Sequence, residues 1–101
     1  MDVDGFDWDE GNLRKIRKHG IEPHTIENLI QGKVWIGHDL KHSQCEERFM
    51  AIGKSENRFI LVIFTIRIGG GKKLIRPISA RSMHRKEIAN YEEEIAEVEN
   101  R

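Results

Sequence analysis

Cysteine occurs once, as Cys45. With no second thiol, the chain is not a small secreted scaffold that substitutes cross-links for a core, and a reducing, cytoplasmic setting is expected. No apolar run approaches the roughly 18 residues of a membrane span, so no membrane partner is expected. Met1-Asp2-Val3-Asp4 is acidic where a secretory leader is basic and then apolar. Proline is limited to Pro23 and Pro77, and aromatics to 7% of residues. The most informative absence is of one charge sign. Residues 57–86 contain no Asp or Glu but eight Lys and Arg: Arg58, Arg67, Lys72, Lys73, Arg76, Arg81, Arg85 and Lys86. Residues 87–101 then carry six glutamates and one arginine. The formal net charge of zero conceals a basic block abutting an acidic one, which suggests an anion-binding surface on one side of the molecule. What is present, 38% apolar and 34% charged residues in a 101-residue chain, predicts one charge-rich globular domain, residues 1–101, with a single modest core.

In chain order, residues 3–8 alternate weakly and start an edge strand with Phe6 and Trp8 on one side. Asp9 is a good N-cap for a helix over 10–19 with Leu13 and Ile16 as its apolar stripe, stopped by Gly20. Arg14, Lys15, Arg17 and Lys18 surround that stripe. They are either a nucleic-acid contact or a solvated helix face. Pro23 opens a second helix with Ile26, Leu29 and Ile30 inward, ended by Gly32. Residues 34–36 form a short strand, 48–53 another, and 58–68 the longest. In the last of these, Phe59-Ile60-Leu61-Val62-Ile63-Phe64 reads as a central strand buried on both faces. Ile88, Tyr91, Ile95 and Val98 give a final helix over 85–99 a stripe that docks on the sheet. The expected class is α+β: an antiparallel sheet of three to four strands, with a short N-terminal strand in addition, two N-terminal helices and one C-terminal helix.

Residues 72–81 carry the most chemistry. Period-two alternation puts Leu74, Arg76 and Ile78 on one face and Ile75, Pro77 and Ser79 on the other. Arg81 stands where the strand hands over to the helix. A guanidinium is a planar fork that stays charged and binds oxygen pairs, which suits phosphate. Two readings stand: phosphate recognition, or pairing of both arginines with carboxylates of this acid-rich chain. Pro77 has no N–H for a ladder bond, so its strand is an edge, a bulge or unpaired there. Gly69-Gly70-Gly71 lacks the lysine and helix of a phosphate-cradling loop and reads as a hairpin turn. His38, Asp39, His42 and Cys45 offer metal-ligand types in one loop, but with one cysteine and no second knuckle a solvated loop is preferred and no metal is expected.

Phe6-Asp7-Trp8-Asp9, Asn12, Lys18-His19-Gly20, Glu47-Arg48-Phe49, Thr65 with Arg67, and Ile75-Arg76-Pro77-Ile78-Ser79-Ala80-Arg81 with Glu87 and Tyr91-Glu92 resemble the BrnT family. The match covers nearly the whole chain in order. The resemblance implies a RelE-like ribonuclease fold and a toxin of a type II toxin–antitoxin pair. It implies RNA cleavage without a metal or other cofactor, through attack of the ribose 2′-hydroxyl on the adjacent phosphate. In that chemistry Arg67, Arg76 and Arg81 suit the developing charge. His84, Glu87 and Tyr91 are acid–base candidates, each with a structural alternative as helix cap or core. Lys15, Lys18, Lys72, Lys73 and Arg85 are RNA-contact candidates. The implied partner is a BrnA-like antitoxin with a ribbon-helix-helix half, through which alone operator DNA would be bound. The competing class is a binding module that holds RNA or an acidic protein on the same basic surface and cuts nothing.

Overall fold

The computed structural model describes residues 2–39 and 46–99. Among these the elements run β1 (Gly5–Phe6), α1 (Glu10–Lys18), α2 (Pro23–Gln31), β2 (Trp35–His38), β3 (Phe49–Ser55), β4 (Arg58–Gly69), β5 (Lys72–Ser82) and α3 (Arg85–Glu99). The five strands form one sheet in the order β1-β5-β4-β3-β2. β2 to β5 are an antiparallel meander, and β1 adds to β5 in parallel. The α+β class, the two N-terminal helices, the final helix and the extra N-terminal strand all stand as expected.

Local chemistry explains the element ends. The Asp9 carboxylate accepts the Asn12 N–H at 2.8 Å and starts α1. At the other end Gly20 takes φ +72°, and two backbone bonds close the helix, Gly20 N–H to Arg17 and Ile21 N–H to Ile16. That closure brings Ile16 and Ile21 together in the core, both fully buried. Each such side chain contributes roughly 1.5–3 kcal/mol on leaving water. Arg58 fastens the same corner: its Nη2 donates to the His19 carbonyl at 2.7 Å, and its Nε bonds the Ser82 hydroxyl. One of the eight basic residues is thereby committed to holding α1 against β4 and β5. The β4–β5 turn is a two-residue hairpin with positive φ at both Gly70 and Gly71, so this glycine run is a turn.

The sheet has two unequal faces. On the first, α1 and α2 cover Ala51, Ile60, Val62, Phe64, Ile75 and Ala80, all buried. Leu29 of α2 seats directly on Gly53, where a Cβ would come within 2.7 Å of its Cγ. On the second face α3 covers one end only. There Tyr91 meets Phe59 and Trp35 edge-on, with centroids 6.0 and 6.4 Å away. β4 is central, as expected, but not buried on both faces: Phe59, Leu61 and Ile63 remain half-open where Ile60, Val62 and Phe64 are sealed. The reason is that a single helix cannot roof the whole of the second face, where two helices cover the first.

Candidate active site

The alternation read along residues 72–81 breaks at one place. Phe64 pairs with Pro77, but the neighbouring Ile63 pairs with Ser79, so Ile78 is an extra residue bulged from β5. Of the three alternatives for Pro77, the bulge is the one adopted. β5 lies between β1 and β4, but β1 pairs only with Leu74 and Ile75, so among the described residues no strand flanks Pro77 on that side. The consequence of the bulge is a change of face. Ile75 and Pro77 point into the core before the bulge, and Ala80 does so after it. Ser79 therefore does not share the face of Ile75 and Pro77, because the inserted residue shifts the phase by one. Strict alternation would have turned Arg81 toward the core. The bulge instead puts Arg76 and Arg81, five residues apart, on the same open second face.

Arg81 is held as a fork. Its Nη1 donates to Glu87 Oε1 at 2.7 Å and its Nη2 to Glu87 Oε2 at 2.8 Å, while Nη1 also reaches the Ser82 carbonyl at 3.2 Å. Among the described residues these bonds leave the Nε–Nη2 edge of the guanidinium open for another oxygen pair. Glu87 in turn accepts the His84 backbone N–H at 2.9 Å, reaching back to the residue that precedes the first turn of α3. The guanidinium, and after it the His84 N–H, hold the Glu87 carboxyl down at about 2, and the carboxylate keeps the Arg81 pKa above its usual value. His84 is exposed beside this pair. Tyr91, one turn beyond Glu87, lines the same groove between α3 and the sheet as Glu87 does.

Of the residues picked from the sequence, the structure brings together Arg81, His84, Glu87 and Tyr91. Arg76 lies elsewhere. It bonds Asp7 at 3.3 Å and also the Asp9 carboxylate, an ion pair that ties β5 to the start of α1. The Asn12 N–H and then Arg76 lower the Asp9 pKa, and Asp9 raises that of Arg76. The bulge adds no rung, so four rungs at about 3.3 Å each set Arg76 roughly 13 Å from Arg81 along the sheet, and its two carboxylate pairs commit it to the β1–α1 corner. Both arginines thus have carboxylate partners, as one of the two sequence readings had it. Arg67 is exposed on the second face of β4, and its cross-strand partner, Leu74, is two residues from Arg76. Lys72 and Lys73 stand exposed at the hairpin end and Arg85 at the start of α3, whereas Lys15 and Lys18 lie on α1, across the sheet. Asp7 and Asp9 as partners of Arg76, and the groove residues Trp35, Leu61, Asn90 and Glu94, come together only through strand pairing and the docking of helices on the sheet, which linear spacing does not announce.

His38 Nδ1 approaches Glu47 at 3.8 Å with both side chains mostly exposed. His42 and Cys45 lie outside the described residues. Among the described residues no three His, Cys, Asp or Glu side chains converge as a metal site. No helix there is long and apolar enough to cross a membrane.

No protein of curated function matches the chain. A family model does, over residues 8–87, and it is described as "Ribonuclease toxin, BrnT, of type II toxin-antitoxin system". That span runs from Trp8, just before the Asp9 cap, through Arg81 and His84 to Glu87. The chain therefore belongs to the BrnT family of ribonuclease toxins.

Proposed function

We infer that this chain, acting as one domain in the cytoplasm, is an endoribonuclease that cuts RNA without a metal. The ribose 2′-hydroxyl attacks the adjacent phosphorus, the 5′-oxygen leaves, and the products end in a 2′,3′-cyclic phosphate and a 5′-hydroxyl. The single observation that carries this reading is the Arg81 fork, locked by Glu87 beside His84. A preorganised cation needs no reorganisation as negative charge builds on the phosphoryl oxygens, and such donors supply the largest share of catalysis. The open Nε–Nη2 edge takes those oxygens. His84, exposed beside the fork, takes the 2′-hydroxyl proton and returns it to the leaving 5′-oxygen. Glu87, ionised down to about pH 2, is a weak base and serves to aim Arg81. Tyr91 borders the reacting groups. Arg67 and Arg76 hold flanking phosphates along the same face, with Lys72, Lys73 and Arg85 extending the basic track, while Lys15 and Lys18, on α1 across the sheet, lie off it.

An antitoxin of the BrnA-like, ribbon-helix-helix kind neutralises the toxin by covering the basic face, and operator DNA is reached only through it. Complementary charge makes that association fast and salt-sensitive. The test is incubation of purified, antitoxin-free protein with RNA in EDTA, followed by analysis of the product ends. Cyclic phosphate ends, lost in Arg81→Gln, support the reading; intact RNA refutes cleavage of free RNA. A second reading is favoured by the carboxylate partners of Arg76 and Arg81: a binding module in which these arginines hold the fold together. It predicts RNA retention without cleavage in the same assay.

A further inference from the structure

Beside Arg81 lies an open groove of about 260 Å³, floored by Ile52 and Leu61, walled by Trp35 and Tyr91, and rimmed by Asn90 and Glu94 of α3. The sequence builds its back wall deliberately. The Trp35 indole lies across Gly37, where any Cβ would fall 2.5 Å from the ring, so only glycine lets the tryptophan take this position. Leu61 is the cross-strand partner of Arg81, so the groove begins where the guanidinium fork stands.

The geometry points to this groove as the seat of an RNA base flanking the phosphate held by Arg81, and to guanine as that base. The assignment rests on the ribonuclease reading above. Three features argue for it. An apolar groove with aromatic walls accepts the flat face of an unstacked base, as single-stranded RNA readers do. Charge then sorts the nucleotide. α3 presents Glu92, Glu93, Glu94 and Glu97, all exposed, which repel phosphate, while the cations lie on β4 and β5. The sugar–phosphate backbone must run along the strands, and the base must turn toward the helix. Finally, the rim selects among bases. A glutamate at Glu94 can only accept. Guanine offers two donors side by side, N1–H and the N2 amino group, where adenine and cytosine offer one amino group and uracil one N–H. Asn90, one turn before Glu94, has an amide to donate to guanine O6.

The test uses oligodeoxynucleotides with a single cleavable ribonucleotide, the base on either side of the scissile bond being varied in turn through G, A, C, U and inosine. The expected result is fastest cleavage with guanine at one of the two positions, and a roughly tenfold lower kcat/KM with inosine, which lacks the N2 amino group. Glu94→Gln should erase the guanine–inosine gap without moving the melting temperature, because Glu94 is exposed. Asn90→Ala reports the O6 contact independently. Binding of all-deoxy versions, followed by tryptophan fluorescence, separates the two claims. Guanine-selective binding without cleavage keeps the groove and removes the nuclease. Cleavage with equal rates for all bases, or a guanine preference that survives Glu94→Gln, overturns the groove assignment. So does base-indifferent binding with the antitoxin protecting Trp35 and Tyr91 from solvent, which would give the groove to the partner protein.

Discussion

Replacing Glu87 by glutamine keeps the shape and the acceptor for the His84 N–H but removes the charge that clamps Arg81. The clamped carboxylate ionises at about 2, against an ordinary 4.5. A folded-state pKa below the unfolded one means stability that is complete above 4.5 and lost as pH falls toward 2. At face value the shift is worth about 3 kcal/mol. Both side chains, however, are about a third open to water, 38% for Arg81 and 34% for Glu87. Solvent screening brings an exposed pair to about 1 kcal/mol. Glu87→Gln should therefore unfold about 1 kcal/mol more easily than the parent at pH 7. By pH 3 that gap should shrink by about half or more. Glu87→Ala, which also loses the bond to His84 N–H, should lose about 1 kcal/mol more. Each kcal/mol lowers the melting temperature by roughly 4–8 °C in a domain of this size. Urea unfolding at pH 7, 4 and 3, read by tryptophan fluorescence, measures the gap. A difference between parent and glutamine variant that stays constant or widens on acidification would falsify the assignment of the clamp as a charge pair.

Arg81→Lys retains the charge but not the fork, and kcat should drop by a factor on the order of 100 or more with KM nearly unchanged, read from steady-state cleavage of a labelled RNA. Arg58→Met keeps the stem and loses the bonds to His19, Gly20 and Ser82; a loss of about 1–3 kcal/mol in denaturant unfolding is expected, against nearly none for exposed Arg67→Met. Gly53→Ala drives a methyl into Leu29, and a loss of about 1–3 kcal/mol follows, partly recovered in a Gly53→Ala, Leu29→Val double variant compared in the same unfolding assay.

Local signals carried most of the fold. Asp9, Gly20, Pro23 and the Gly70–Gly71 turn act within a few residues of themselves, so their elements end where the sequence says they should. Residues 85–99 are helical as expected, because the glutamate-rich spacing has no competing pattern. The site was less legible. Arg76 and Asp7 are 69 residues apart in the chain and meet only because β1 adds to β5, a pairing that two residues of strand do not announce. Arg81 and Glu87 are six apart, yet their meeting depends on how the strand turns into α3. Tyr91 has the spacing of its core neighbours but ends half-buried against two other aromatics, because the helix roofs only a corner of the sheet.

The bulge at Ile78 also makes the junction a matter of counting. Strand residues follow a two-beat frame, and Ile78 is an uncounted beat, so everything from Ser79 onward is read in the opposite parity to Ile75. Deleting Ile78 alone would remove the uncounted beat and leave its neighbours facing as they do now, Pro77 and Ala80 inward, Ser79 and Arg81 outward. Keeping Ile78 but drawing it into an unbroken ladder is the change that would swing Arg81 inward and expose Ala80, with no charged residue altered. A one-residue gap at this position therefore belongs with the tolerated changes, and any change that flattens the bulge with the inactivating ones.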